Sequence, residues 1–275
     1  MKNMVNLSPG LFGKQPKEVY CDADFTVTAF MFPGDIAALA LQNNRGILTL
    51  LPYQDLMVWD AAFDGHSLKS KDSCVKPRRD DNSGCFAFHE GLPENYGPIA
   101  DVWLEVEAEM LTVRASSADS ATRGCRTQPA VQLSANSAQF SIEMVISNLA
   151  DTAQPLSYMC HMNYACDPDA VFRQNLPGCA LNIRNNPLPV ICSDDLSLYV
   201  DQAEFFMLAP RGRKYVTRFS TGQFNYAVLR RPNTSPQAAA FIQPASCSPD
   251  SAAKQMSAVL NAGEMREFRV TTGVL

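Results

Sequence analysis

Short β-prone segments, each closed by turn residues, follow one another through almost the whole chain, and recurrent helical periodicity is missing. Segment 25–30 is aromatic and β-branched and stops at Pro33-Gly34-Asp35. Segment 36–42 follows as its partner and ends in the turn Asn43-Asn44-Arg45-Gly46. The buried-looking run 46–51 stops at Pro52, and 102–106 and 109–115 read as a half-buried pair. In 140–147, Phe140, Ile142, Met144 and Ile146 alternate with Ser141, Glu143 and Val145. Further strands are expected at 196–200, 204–208, 226–230, 239–242 and 266–271. Only 251–260, opened by Ser248-Pro249-Asp250 and closed by Asn261-Ala262-Gly263, reads as a helix. This pattern predicts an all-β sandwich or barrel: one domain, residues 1–275, with few short helices.

Composition narrows the functional classes. Hydrophobic residues make up 46% and charged residues 19%, enough apolar material for a large core. The net charge is -5, and the one basic cluster, Lys76-Pro77-Arg78-Arg79, is cancelled by Asp80 and Asp81. No nucleic-acid partner is expected. No apolar run approaches a bilayer span, and the N-terminus lacks a signal-peptide core, so no membrane association is expected. The nine cysteines are odd in number and irregularly spaced, which suits a reduced cytoplasmic protein with buried thiols. The stretch 69–83, rich in Lys, Arg, Asp and Ser, reads as the most mobile loop.

The chemistry rests on scarce histidines: His66, His89 and His161. His161 lies at a strand end beside Asn163 and the acidic turn Cys166-Asp167-Pro168-Asp169, where it is either an acid/base group or a loop cap. A strand through Phe86 and Phe88 delivers His89 to a loop shaped by Gly91 and Pro93, as a site residue or a surface histidine. Glu90 is next to it, and adjacent strand residues face opposite ways. His66 reads as a turn residue. Cys160, His161 and Cys166 lack the paired spacing of a zinc site, so no metal is expected, and there is no phosphate loop or nucleophile elbow. Adjacency also turns Cys160 and His161 apart, against a cysteine nucleophile.

Four segments, in order, resemble the aldose 1-epimerase (galactose mutarotase) superfamily, in particular its less-characterised bacterial branch. The first is Arg45-Gly46-Ile47-Leu48 leading through Leu51-Pro52-Tyr53-Gln54 to Trp59-Asp60-Ala61 and Phe63-Asp64-Gly65. The second is Phe88-His89-Glu90-Gly91-Leu92-Pro93, and the third is Tyr158-Met159-Cys160-His161-Met162-Asn163-Tyr164, preceded by Ile146-Ser147-Asn148. The fourth is Phe241-Ile242-Gln243-Pro244-Ala245-Ser246-Cys247, with the closing Leu260-Asn261-Ala262-Gly263-Glu264. Together they span nearly the whole chain. The resemblance implies a large antiparallel supersandwich with a small-molecule carbohydrate in an open cleft across one sheet. It implies acid/base ring opening at the anomeric carbon without a cofactor: His161 as acid, His89 as supporting site residue, and a glutamate base in the fourth segment. Trp59 and Asn163 become candidate sugar contacts, Trp59 through its aromatic face.

Two departures from the family pattern stand out. The expected base is Gln243, whose carboxamide cannot take up and carry a proton, and loss of a general base costs about 10²–10⁴-fold. The first segment reads Gln54-Asp55-Leu56-Met57-Val58-Trp59, without the family's sugar-binding Arg, which implies a sugar other than galactose. Asp167, Asp169, Asp201 and Glu204 are the available substitute carboxylates, with Asp167 and Asp201 also candidate sugar ligands. The reading is therefore an anomer-interconverting isomerase, with two alternatives: a carbohydrate-binding protein that lost its base, or a sugar-modifying enzyme acting on an acidic sugar. Assembly into a homo-oligomer stays open.

Overall fold

The computed structural model describes residues 3–69, 76–79, 81–82, 84–93, 96–118, 124–165, 170–177, 190–192, 195–210, 212–229, 242–248 and 258–275. Two large antiparallel sheets dominate. The nine-stranded sheet runs, in spatial order, Asn3–Asn6, Ile99–Glu107, Met110–Ser117, Cys125–Ser134, Gln139–Asn148, Met265–Val274, Lys214–Ser220, Gln202–Leu208 and Val171–Gln174. The eleven-stranded sheet runs Val190–Cys192, Tyr226–Leu229, Gln243–Ala245, Met159–Met162, Ala87–Glu90, Met57–Phe63, Gly46–Leu51, Ile36–Gln42, Thr26–Phe32 and Lys17–Cys21, with His66–Ser67 paired onto Met57–Phe63. Gln154–Leu156 and Ala258–Leu260 form a separate two-stranded ribbon.

Alternation decides what each sheet buries. Along Gln139–Asn148, Phe140, Ile142, Met144 and Ile146 are all in the core. Across the interface the aromatic rings meet: Phe63 and Phe86 each lie 6.0 Å from Phe140, and Tyr158 lies 4.7 Å from Phe268. Full burial of such a side chain contributes about 1.5–3 kcal/mol. A second apolar cluster lies apart from that core: Ile36, Ala38, Leu51, Met57, Trp59 and Cys85, with Phe30, Phe32 and Phe88 against it. Its members alternate along their strands with core residues such as Leu39 and Val58, which puts it on the outer face of the eleven-stranded sheet. A bulge keeps Trp59 on that face: Leu50 pairs with Val58 and Thr49 with Asp60, leaving Trp59 as the extra residue.

Most expected strands are present, with 36–42 and 46–51 matching to the residue. The expected strand 196–200 is instead a 3₁₀ turn, Leu196–Leu198, because the Asp195 carboxylate caps the Ser197 N–H at 2.9 Å. Of the expected helix 251–260, residues 251–257 lie outside the described residues, and Ala258–Leu260 is a strand paired with Gln154–Leu156. Of 239–242, only Ile242 is described, and the strand begins at Gln243. The central strand Cys125–Ser134 was not foreseen; Pro129 sits just past its last register pair with Met110–Ser117 (Arg114 with Ala130), where its missing N–H is tolerated. Among the described residues no helix is long and apolar enough to cross a membrane.

Candidate active site on the outer sheet face

The third segment is itself a period-two pattern. Tyr158, Cys160, Met162 and Tyr164 are fully or almost fully buried in the core, so Met159, His161 and Asn163 face outward. Burial pushes the Cys160 thiol up to about 12, which leaves it an unreactive core group turned away from His161.

Neighbouring strands then supply the surroundings of His161. Ala87–Glu90 pairs with Met159–Met162 in the register Phe88 with His161, Cys160 with His89 and Met159 with Glu90. Directly paired residues share a face. Phe88 therefore stacks on the imidazole, centroids 4.5 Å apart at 23°. Glu90 accepts a hydrogen bond from His161 Nδ1 at 3.0 Å. The strand ends there because Gly91 has φ +70° and a Cβ would lie 2.1 Å from the Ser157 carbonyl oxygen. On the other side, Met159 pairs with Ala245, which brings Gln243 opposite His161.

The Nε2 side of the ring is closed. Asn163 Oδ1 lies 3.1 Å from Nε2, and the Asn163 amide is oriented by its own donation to the Cys85 carbonyl at 3.2 Å. The nitrogen of the fully buried Gln243 carboxamide is 3.1 Å from Nε2, and its oxygen is buried without a hydrogen-bond partner among the described residues. Turning that amide over sets its oxygen against Nε2–H and removes the opposition of two donors.

The fold is that of the galactose mutarotase-like proteins. A protein from Klebsiella pneumoniae with the provisional name aldose 1-epimerase superposes at a TM-score of 0.71 with 14% identity, over 100% of this chain and 92% of its own. A galactose mutarotase-like protein from Clostridium acetobutylicum gives a TM-score of 0.61 with 9% identity, over 92% of this chain and 99% of its own. The galactose 1-epimerase of Lactobacillus acidophilus gives 0.55 with 12% identity, over 100% and 98%. No family model matches the sequence. No curated protein matches it either.

Within this mutarotase-like fold the expected site residues divide. His161, Asn163 and Gln243 come together, joined by Glu90, which alternation turns away from His89. His89 is on the opposite side of its strand, sharing the core face with Ala87 and Cys160, so the anticipated meeting of both imidazoles on one face is corrected by the pleat. The Tyr158 hydroxyl and His89 Nδ1 share a hydrogen bond at 2.8 Å, and burial raises the phenol's pKa. His89 also lines a cavity of about 400 Å³ with Gln54 and Asp55 of the first segment, Tyr53, Tyr96 and Phe88. There the Asp55 carboxylate accepts from the Tyr96 hydroxyl at 2.7 Å, and burial raises its pKa.

Trp59 lies on the outer face, but only 4% of it is exposed, and the Lys69 ammonium stands 3.8 Å over its ring. That cation–π contact occupies a face a sugar would need. Lys69, expected to open a mobile loop, is itself buried and bridged to Tyr164. Asp201 is exposed just before Gln202–Leu208 in the other sheet, its carbonyl accepting from the Thr221 N–H at 3.0 Å. Glu204 is bound to Arg218 at 2.6 Å on that sheet. Neither joins the His161 group. Asp167 and Asp169 lie outside the described residues.

Enclosure of His89 has a pH consequence. Burial lowers its pKa from 6.5 to about 4, so between those values the unfolded chain binds more protons than the folded one. The stabilisation is complete above 6.5 and is lost as the pH falls toward 4. The expected loss is on the order of 2 kcal/mol, discounted for the partial exposure of the ring. Urea midpoints of wild type and His89→Asn should diverge over this range; parallel pH curves would refute it.

Proposed function

We infer that the chain, acting as one carbohydrate-binding domain, binds a sugar or sugar derivative on the outer face of the eleven-stranded sheet and interconverts its anomers. The observation that carries this reading is the orientation of His161. Its imidazole is held between a carboxylate at one nitrogen and two carboxamides at the other, 16% exposed. Support also comes from the shared fold, since the solved neighbours include a galactose 1-epimerase. In this reading His161 protonates the ring oxygen, the C1–O bond opens, rotation about C1–C2 turns the carbonyl, and closure yields the other anomer. Proton transfer of this kind runs near neutral pH and calls for no cofactor.

A second reading follows from Gln243. If loss of the fourth-segment carboxylate ended catalysis, the chain is a sugar-binding protein. Exchange NMR on a panel of reducing monosaccharides separates the two. Anomer exchange above the buffer rate is the expected result. A sugar that gives saturation transfer but exchanges at the buffer rate would remove the isomerase and leave the binding protein.

A further inference from the structure

We propose that Glu90 is the general base of this site, working beside His161 as acid, so that the role missing at residue 243 is filled from the strand Ala87–Glu90. This rests on the anomer-exchange reading above.

Gln243 is fully buried beneath His161, so even a carboxylate there would have little access to a ligand on the outer face. The Nε2 edge of the ring is closed by Asn163 and Gln243, and one face of the ring is covered by Phe88. At the Nδ1 edge stands Glu90, with 49% of its side chain exposed. Its Oε2 and the His161 Nδ1 are 3.0 Å apart. The hydroxyl oxygen and the ring oxygen of a cyclic hemiacetal are both bonded to C1, so a base and an acid in direct contact can address the two together.

The protons balance without any outside reagent. The resting pair is a Glu90 carboxylate and a His161 imidazolium. Glu90 takes the proton of the anomeric hydroxyl, and the O–H electrons form the C1 carbonyl. The C1–O ring bond breaks with its electrons going to the ring oxygen, which receives the Nδ1 proton of His161. That proton is released as the neutralised Glu90 ceases to hold it. The open-chain sugar now faces a neutral carboxylic acid and a neutral imidazole whose Nε2–H still donates to Asn163. After rotation about C1–C2, Glu90 returns its proton to the carbonyl oxygen as the ring oxygen attacks C1, and His161 Nδ1 takes back the ring-hydroxyl proton. Both groups end as they began. Asn163, locked by the Cys85 carbonyl, is a positioning residue that keeps the exchanged proton on Nδ1.

The test is Glu90→Gln and Glu90→Ala in the full chain, using the monosaccharide that gives the fastest wild-type exchange. Glu90→Gln keeps the shape and a hydrogen-bonding group, and its side chain is half in solvent, so the fold should be unchanged. The expected result is a fall in exchange rate of about 10²–10⁴-fold with the saturation-transfer signal of bound sugar retained. Added acetate should restore part of the rate to Glu90→Ala, an effect that a structural role would not produce. A fall of less than about tenfold in Glu90→Gln, or no acetate rescue of Glu90→Ala, overturns the proposal while leaving the exchange reading standing. Wild-type protein that binds sugar but exchanges none would instead overturn the reading on which it rests.

Discussion

His161→Ala is expected to lower anomer exchange by about 10²–10⁴-fold while leaving the two sheets assembled. The imidazole is a proton donor in contact with Glu90, and alanine removes it. Some stability should be lost as well. Gln243 is fully buried and loses the ring at 3.1 Å, and leaving such an amide unsatisfied costs about 1–3 kcal/mol. The inter-sheet aromatic core does not include His161, so the variant should unfold cooperatively at a lower temperature rather than arrive unfolded. Thermal melts beside exchange NMR separate the two effects. Exchange at the wild-type rate in a folded variant would reject His161 as the acid.

Gly273→Ala should be the most destabilising small substitution in the nine-stranded sheet. Gly273 lies within Met265–Val274, pairs with Gln139 and Val216, and has φ +144°. A Cβ there would lie 2.2 Å from the Ala138 carbonyl oxygen and 2.7 Å from the Gln139 Cα. Both are backbone atoms of the adjoining strand and turn, so relief requires parting strands rather than rotating a side chain. Strain at such a φ costs about 1–3 kcal/mol and overpacking a similar amount, giving about 3–5 kcal/mol together. The neighbouring Thr272 hydrogen-bonds the buried Tyr164 hydroxyl, and Tyr164 directly follows Asn163, so the site should loosen along with the sheet. Urea unfolding should show a lower midpoint at unchanged slope. A shift worth less than about 1 kcal/mol would show that the strands accommodate the methyl.

The candidate site was legible only in part, and each gap has a physical source. His161 and Asn163 are two residues apart on one strand, so a shared face follows from the pleat alone. Gln243 reached the site through the resemblance, and the pairing of Met159 with Ala245 accounts for its position. Alternation allows only one of Glu90 and His89 to join His161, and the sequence pattern alone does not say which. Choosing between them required the register of two strands about seventy residues apart, which sets Phe88, not His89, opposite His161. Trp59 looked like an open aromatic platform, and nothing local announced that Lys69 would lie over it. Asp201 and Glu204 were near strand ends as expected, but in the other sheet.

The chain's own order of residues determined that it would form strands, where many of them begin and end, and which residues along each would lie on a common face. These properties depend on backbone sterics, turn chemistry and a two-residue pleat, all of which act within a few residues. Tertiary structure alone decided which face met the opposing sheet, which strands became neighbours, and hence that a glutamate, a phenylalanine and a buried carboxamide would surround one imidazole. Those outcomes are set by burial summed over both sheets, where a one-residue slip in register would reverse every side chain.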